Sequence, residues 1–278
     1  MKNSKPSQTA GKVIIYILLI AFAALLMVPF YWMVQSSLKL DHEVFTIPIQ
    51  WWPSNPVWRN YIDIWTRIPL MTFMSNTARL TVIVTLLQLL TSSFAAYAFS
   101  KLRFKGRNML FLMYVGTIAV PWQAYMVPQF VMFRTMDLVD THMAIIVLQA
   151  FTAFGVFLMK QFYDTIPYEL NEAARIDGMS EYQIWRQIML PLSKPALATL
   201  TIFTFVATWN DFLGPRLYLT TQNLWTIQIG MRMFIGQFSS EFGLIMAIAT
   251  VSLIPILVVF LSLQRFFVQG IATTGLKG

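Results

Sequence analysis

Residues 165–195 form the most acidic connection between two apolar stretches of this 278-residue chain. Four of the chain's 12 acidic residues lie there, namely Glu169, Glu172, Asp177 and Glu181. A carboxylate that enters a protein contact loses water and needs a cationic or N–H partner, so its chemistry would be docking rather than catalysis. An ordinary solvated loop is the alternative, and the spacing of the residues leaves both interpretations open.

Two short helices are predicted within this acidic segment. Thr165 can cap the first helix, and Pro167 suits its first turn, where the missing N–H costs little. Gly178 can adopt the left-handed conformation that ends a helix. Ser180 and Gln183 then form an S-x-x-Q capping box, which indicates that a second helix starts there.

The first of these helices would carry a stripe of carboxylates and small or apolar side chains. Glu169, Glu172, Ala173 and Ile176 follow the i, i+3, i+4, i+7 spacing that places residues on one face. Ala173 and Ala174 keep the surface low, so that the backbone of another protein could approach closely. Glu172 would then lie at the centre of a small, shallow contact.

The composition indicates a membrane protein. Hydrophobic residues make up 57% of the chain, charged residues 12%, and the mean hydropathy is +0.61, whereas soluble domains carry about 25% charged residues. The chain has no cysteine, which excludes disulfides and thiolate metal sites. His42 and His142 are too few and too scattered for a metal cluster, so we expect this chain to bind no cofactor.

Long apolar runs predict an all-α membrane protein with one transmembrane domain over residues 1–278. The six predicted spans cover about 13–34, 80–99, 109–126, 143–159, 196–213 and 244–267. Pro121 should break or kink the third span. A signal peptide is the alternative for the first run, but the cleavage-like Ala21-Phe22-Ala23 lies inside it and the run is too long, so we predict a retained span.

The lysines and arginines predict the orientation. With both termini in the cytoplasm, 13 of the 20 basic residues would lie on the cytoplasmic side, as the positive-inside rule requires. The net charge of +8 is therefore a signal of topology, and no nucleic-acid partner is expected. The same orientation puts the acidic segment in the cytoplasm, between the fourth and fifth spans.

The acidic segment also carries a motif with a characteristic spacing. It reads EAA, three residues, G, nine residues, I, two residues and P, which here are Glu172, Ala173, Ala174, Gly178, Ile188 and Pro191. This closely resembles the EAA loop of permease subunits of ATP-binding-cassette importers. Asp177, which precedes the glycine, fits the version of the motif found in sugar importers.

The resemblance extends over most of the chain and is closest to the MalG-like permeases of maltose-type carbohydrate importers. It is carried by Ala95–Phe99 with Phe104 and Gly106, by Trp209-Asn210 with Phe212-Leu213, and by Gln264-Arg265, Val268–Gly270 and Lys277-Gly278. Two positions depart from the family pattern. Gly214-Pro215 lacks the aromatic residue that usually precedes the proline, and Met179 replaces a commoner alanine.

The resemblance implies a multi-pass permease subunit in a bacterial or archaeal cytoplasmic membrane, surrounded by lipid. It also implies a second homologous permease that completes the pore, two ATPase subunits that bind ATP and Mg²⁺, and an extracytoplasmic sugar-binding protein. The implied ATPase-docking residues are Glu169, Glu172, Ala173, Ala174, Asp177, Gly178, Ile188 and Pro191. Residues 221–240 would reach the binding protein, with Gln228, Gly230, Gly236 and Gln237 as contact candidates, and a plain interfacial loop is the alternative.

Four residues are candidates for the substrate path. Trp209, Asn210 and Asp211 lie near the outer end of the fifth predicted span, and Gln123 follows Pro121. Polar groups at membrane depth are costly and often line a path, and a tryptophan, an amide and a carboxylate suit a sugar. Hydrogen bonding between helices and an interfacial tryptophan are the alternative.

The sequence gives no indication of an enzyme. It contains no P-loop motif and no H-E-x-x-H motif, so ATP hydrolysis must come from a partner chain. An ion-driven secondary transporter would need ionisable residues within the spans, and the predicted spans hold almost none. A membrane enzyme would need a polar catalytic cluster at membrane depth, which is not evident.

Overall fold

The computed structural model describes residues 6–236 and 241–274, and it describes side chains for 11–236 and 241–266. The described residues form helices and turns, with no β-strand among them. In chain order the α-helices are α1 Pro6–Ser36, α2 Asn60–Thr66, α3 Leu70–Lys101, α4 Arg107–Gly116, α5 Met126–Thr135, α6 His142–Gln149, α7 Ala153–Asp164, α8 Glu169–Ile176, α9 Glu181–Ile184, α10 Leu190–Leu192, α11 Lys194–Trp209, α12 Leu213–Tyr218, α13 Ile227–Met231 and α14 Phe242–Thr274. The all-helical prediction is confirmed for these residues.

The described residues divide into two compact units. One comprises the chain up to Ile68 together with residues 231–253, and the other comprises residues 69–230 together with the chain from Ile254 onwards. The candidate docking segment and a cavity of about 620 Å³ both belong to the second unit.

The first unit holds α1 and the connection that follows it. The most apolar window of α1 has a mean hydropathy of 2.9, and none of it is buried by the described chain. Lipid or another subunit must therefore cover this helix. In this connection, Arg67 forms ion pairs with Asp63 at 3.3 Å and with Glu241 at 2.6 Å.

The second unit is built on α3, α7 and α11, which pack against one another. The α3–α7 crossing is close because small residues meet there: a Cβ added at Gly155 would overlap the Ser92 hydroxyl and lie 2.6 Å from the Thr152 methyl. Small residues let helices approach in membranes. At one end of the unit, α3 and α7 meet residues of the candidate docking segment in a buried cluster that contains Tyr97, Met159 and Trp185.

The six-span prediction is confirmed in part. Four described stretches are long and apolar enough to cross a membrane: Gly11–Ser36, Leu70–Lys101, His142–Thr165 and Phe242–Phe266. A fifth is present if the bent pair Glu181–Leu192 and Lys194–Trp209 counts as one span. The predicted fifth span, 196–213, is too long at its C-terminal end, because α11 ends at Trp209.

The predicted third span is not a continuous helix. α4 ends at Gly116, and two short 3₁₀ turns separate it from α5, which begins at Met126. The break at Pro121 is confirmed, since this residue has an extended backbone with ψ of 137°. Proline cannot donate a helical hydrogen bond, so residues 109–126 form a broken stretch, and whether they cross the membrane stays a prediction.

Candidate functional site

Helix α8 presents the predicted stripe to its surroundings. Glu169, Glu172, Ala173 and Ile176 are all exposed, and Ile176 is 86% exposed. Asp177 follows the helix and is exposed too. Among the described residues, Glu172 has no ion-pair partner. The Glu172 carboxylate and the Ile176 side chain thus lie together on the exposed face of α8, where another protein could contact both.

Ala174 does not lie on that surface. It is 4% exposed and packs in the buried cluster with Tyr97 and Trp185. The expectation that Ala174 lowers the docking surface is therefore wrong in this structure. Its small side chain lets α8 lie close to the core of its own chain, whereas Ala173, one residue earlier, is exposed.

A hydrogen-bond network fixes α8 and α9 to the end of α3. The Tyr97 hydroxyl donates to the Glu181 carboxylate at 2.5 Å and accepts from the Asn171 amide at 3.4 Å. The other oxygen of Glu181 accepts from Arg175 at 2.7 Å, and Arg175 also donates to the Tyr168 hydroxyl at 2.9 Å. The hydrogen bond to Glu181 raises the pKa of Arg175, and the same contact lowers the pKa of Glu181.

The turn between α8 and α9 has the predicted geometry. Gly178 has φ of +83°, and the capping box of Ser180 and Gln183 is complete, with reciprocal backbone bonds of 3.4 and 2.7 Å. The predicted N-cap at Thr165 is wrong. Thr165 instead ends α7, where its hydroxyl donates to the Phe162 carbonyl at 2.7 Å, and α8 has no side-chain cap.

The second half of the segment is a distorted helix. Residues Trp185–Met189 form a π-helical turn that leads into α10, and the chain bends by 79° before α11. Trp185 is buried, and the centroid of its ring lies 4.0 Å from the ring centroid of Phe94 in α3. Ile188 is half-buried against the core cluster and Pro191 is exposed. Ile188 therefore belongs to the packing beneath α8, and neither residue lies on the exposed stripe of α8.

A cavity with a volume of about 620 Å³ lies elsewhere in the same unit. Its wall contains glutamines, threonines and aromatic residues from α3, α6, α7 and α11 and from the broken stretch around Pro121. Two of the four substrate-path candidates, Gln123 and Asp211, line it. Trp209 and Asn210 do not: Trp209 is buried and stacks on Phe205, and Asn210 is exposed and donates to the Val206 carbonyl at 3.0 Å.

The cavity lies where the predicted fourth span is broken. α6 ends at Gln149 and α7 begins at Ala153, so carbonyl groups between them lack helical partners. Side chains of α3 replace those partners: Gln88 donates to the Gln149 carbonyl at 2.7 Å, and Thr91 donates to the Ala150 carbonyl at 2.9 Å. Irregular backbone at membrane depth is tolerated where protein groups satisfy it and where it lines a cavity.

A second set of hydrogen bonds joins this break to the end of α11. The Gln149 amide donates to Asp211 at 2.7 Å and accepts from the Thr208 hydroxyl at 2.9 Å. The other carboxylate oxygen of Asp211 accepts from the Gly214 backbone N–H at 3.2 Å. Asp211 is thus a half-buried acceptor that is held in a fixed place at the cavity wall.

The predicted binding-protein contacts have different surroundings. Gln228 is half-buried and donates to the Asn210 side chain at 3.3 Å. Gly230 is buried, and a Cβ there would overlap the Phe73 ring, so the expectation of a surface contact at Gly230 is wrong in this structure. Gly236 is exposed. Gln237 lies outside the described residues.

Asp140 fixes a turn of the second unit that contains Thr220 and Thr221. One of its oxygens accepts from the backbone N–H groups of Thr220 and Thr221, both at 2.8 Å, and the other accepts from the Thr221 hydroxyl at 2.5 Å. These hydrogen bonds lower the pKa of Asp140 to about 2.

Comparison with known proteins identifies the family. Residues 88–273 match the family model described as the binding-protein-dependent transport system inner membrane component. The chain belongs to this family. The matched residues include the cavity wall from Gln88 onwards and the whole acidic segment, so the two sites described above both lie in the part that defines this transporter family.

Individual relatives agree with that assignment. The chain is 34% identical over 227 residues to the arabinooligosaccharides transport system permease protein AraQ of Halalkalibacterium halodurans, covering 81% of each chain. It is 31% identical over 264 residues to the sn-glycerol-3-phosphate transport system permease protein UgpE of Pectobacterium atrosepticum, covering 92% of this chain and 94% of that one. It is similar in fold to a chain of a bacterial transporter that imports the acidic polysaccharide alginate, with a TM-score of 0.80, 24% identity, and coverage of 96% and 100%.

Several residues that support the acidic segment and the cavity of this permease were not predicted from the sequence. Tyr97 belongs to a run that resembles the family, but its bond to Glu181 joins residues 84 positions apart. Gln88 and Gln149 are amides within apolar helices, which is a detectable signal because such groups need partners at membrane depth.

Proposed function

We propose that this chain is one of two permease subunits of an ATP-binding-cassette importer for sugars, and that it forms half of the translocation pore. The outward stripe of α8, fixed to α3 through Tyr97 and Glu181, is the observation that carries the proposal. An exposed carboxylate beside an exposed isoleucine, on a helix that hydrogen bonds attach to α3, is suited to a protein cleft. The relatives named for arabinooligosaccharides, sn-glycerol 3-phosphate and lactose support the assignment to sugars and related compounds.

In this proposal α8 enters a cleft on an ATPase subunit, and ATP and Mg²⁺ bind only to the two ATPase chains. Closure of the ATPases moves α8. Helix α3 then carries the movement, because it holds Tyr97 at the docking segment and Gln88 and Thr91 at the broken span beside the cavity. An extracytoplasmic binding protein delivers the sugar to the opposite face.

The proposal includes six membrane crossings with both termini in the cytoplasm. Residues 107–135 would cross as a broken span, in which the irregular backbone around Pro121 lines the cavity rather than lipid. A reporter fused after Lys105 or Glu181 should then report the cytoplasm, and one fused near Pro48 or Thr226 should report the outside. A cytoplasmic signal near Thr226 would contradict this topology.

Uptake by the reconstituted complex distinguishes this function from ion-driven transport. The chain, purified from its native membrane with the subunits that it retains, should take up sugar into vesicles only with ATP and a binding protein present. A proton or sodium gradient imposed without ATP should drive no uptake. Uptake that follows the ion gradient and ignores ATP would refute the assignment and favour a secondary transporter.

A further inference from the structure

The charge of the cavity wall restricts what the cavity can hold. Among the described residues that line it, Asp211 carries the one acidic group, and lysine, arginine and histidine are absent. The remaining polar side chains are four glutamines, three of them being Gln88, Gln123 and Gln149, together with threonines and a tyrosine. The wall therefore offers amide and hydroxyl groups, and its formal charge is negative.

The apolar part of the wall suits the faces of sugar rings. Phe151, Phe154, Phe203 and Tyr125 line the cavity and are exposed. Flat apolar surfaces with a few well-placed polar groups are typical of small-molecule sites, whose volumes run from about 300 to 1,000 Å³. The cavity volume of about 620 Å³ lies within that range.

The amides of the wall differ in their availability. Gln149 uses its side-chain N–H on Asp211 and its oxygen on Thr208, so it is committed to the protein. Gln123 is exposed and makes no hydrogen bond to another described residue, and it lines the cavity. Its amide can both donate and accept, which matches a hydroxyl group.

We infer that this cavity takes an uncharged sugar, that Gln123 is a direct contact to its hydroxyl groups, and that Asp211 disfavours anionic substrates such as sugar phosphates and uronates. The inference rests on the proposed transport function and specifies its substrate class. A phosphate or carboxylate that enters the cavity would lose water without meeting a cation and would approach a fixed carboxylate. A neutral sugar has neither of these penalties.

Equilibrium binding to the purified complex in nanodiscs tests this inference. The probes are radiolabelled lactose and arabinotriose, which are neutral, and radiolabelled sn-glycerol 3-phosphate, which is anionic. We expect the neutral probes to bind and the phosphate to bind at least tenfold more weakly. Gln123→Leu should weaken neutral binding by about three- to tenfold, the value of one net hydrogen bond.

Two further variants separate charge from general damage. Asp211→Asn should strengthen binding of sn-glycerol 3-phosphate severalfold without strengthening the binding of lactose. The substitution removes the charge repulsion, which acts only on the anion, and one of the two hydrogen bonds that Asp211 accepts, which affects both probes alike. Gln161→Leu is the matched control for Gln123→Leu, because Gln161 is exposed on α7 and is not part of the cavity wall. It should bind both probe types as the wild type does.

The outcomes distinguish this inference from the proposed function. The ATPase content of each preparation is measured alongside binding. Loss of the ATPase with probe binding intact would count against the proposed function alone. A complex that retains its ATPase yet binds no neutral probe, that binds sn-glycerol 3-phosphate as tightly as lactose, or whose lactose binding is unchanged by Gln123→Leu would overturn the inference.

Discussion

The hydrogen bond from Tyr97 to Glu181, which attaches the docking segment to α3, can be tested with a single substitution. Tyr97 is buried at the end of α3, and its hydroxyl donates to Glu181 at 2.5 Å. Tyr97→Phe removes the hydroxyl that donates to Glu181 and accepts from Asn171 of α8, and it leaves the ring in its packing cluster. Glu181 keeps its bond to Arg175, so the perturbation is confined to the attachment between α3 and the docking segment.

The expected cost follows from the charge and exposure of the acceptor. A hydrogen bond to a charged group contributes about 1.5–3 kcal/mol. The Glu181 side chain is 44% exposed, so solvent screening reduces this value, and we expect a loss of about 1–2 kcal/mol. A loss of that size raises the population of a detached segment by about 5- to 30-fold.

Amide hydrogen exchange over residues 165–195 measures this detachment directly, because the exchange of protected amides reports local opening. Tyr97→Phe should exchange severalfold faster across α8 and α9. Tyr182→Phe is the matched control, since Tyr182 is exposed and packs beside Trp185 without a hydrogen bond from its hydroxyl to any described residue. Wild-type exchange in Tyr97→Phe would show that the bond does not hold the segment.

Three further substitutions test other parts of the structure. Gly178→Val should destabilise the α8–α9 turn by more than about 1 kcal/mol, because φ is +83° there, whereas Gly178→Asn should destabilise it less. Thermal unfolding of both variants in detergent measures the difference. Equal melting temperatures of the two variants would contradict this prediction. Gly230→Ala should cost about 1–3 kcal/mol by overpacking against Phe73, seen as a lower melting temperature with wild-type sugar binding at the cavity. Asp140→Asn should loosen the turn at Thr220 and Thr221. The pKa of Asp140 is lowered to about 2. The stabilisation of the turn by the Asp140 carboxylate is therefore complete above the ordinary pKa of about 4 and is lost as the pH falls towards 2. The difference between wild type and Asp140→Asn in proteolysis of this turn should therefore be present at pH 7 and shrink in acid, and equal proteolysis at pH 7 would contradict it.

Local sequence signals predicted the parts of the fold that depend on neighbouring residues. The apolar runs predicted α1, α3 and α14, because a helix of that length and hydropathy satisfies its own backbone in a membrane. The turn at Gly178 and the capping box of Ser180 and Gln183 were also predicted correctly, because a turn and a cap involve only a few consecutive residues.

Features that depend on distant residues were not predictable in this way. The break between α6 and α7 has no proline to mark it, and it is stabilised by Gln88, which precedes its partner by 61 residues. Ala174 looked like a surface residue from its position beside Ala173, and only the packing of α8 against α3 decided which of the two is buried. Thr165 could cap either of two helices, and the end of α7 is the one that it caps.

Glu172 provides the most direct measurement of the central claim, which is that α8 docks into an ATPase. A carboxylate buried at that contact would need a partner, and its loss would leave the partner's charge unpaired at a cost of about 3–5 kcal/mol, whereas a solvated pair would cost under about 1 kcal/mol. The measurement is ATPase retention on the complex purified from membranes, together with uptake in cells. Glu172→Lys should lose the ATPase and abolish uptake, and Glu169→Lys, nearer the start of the same exposed face, should lose less. Wild-type ATPase retention and uptake in Glu172→Lys would contradict the account.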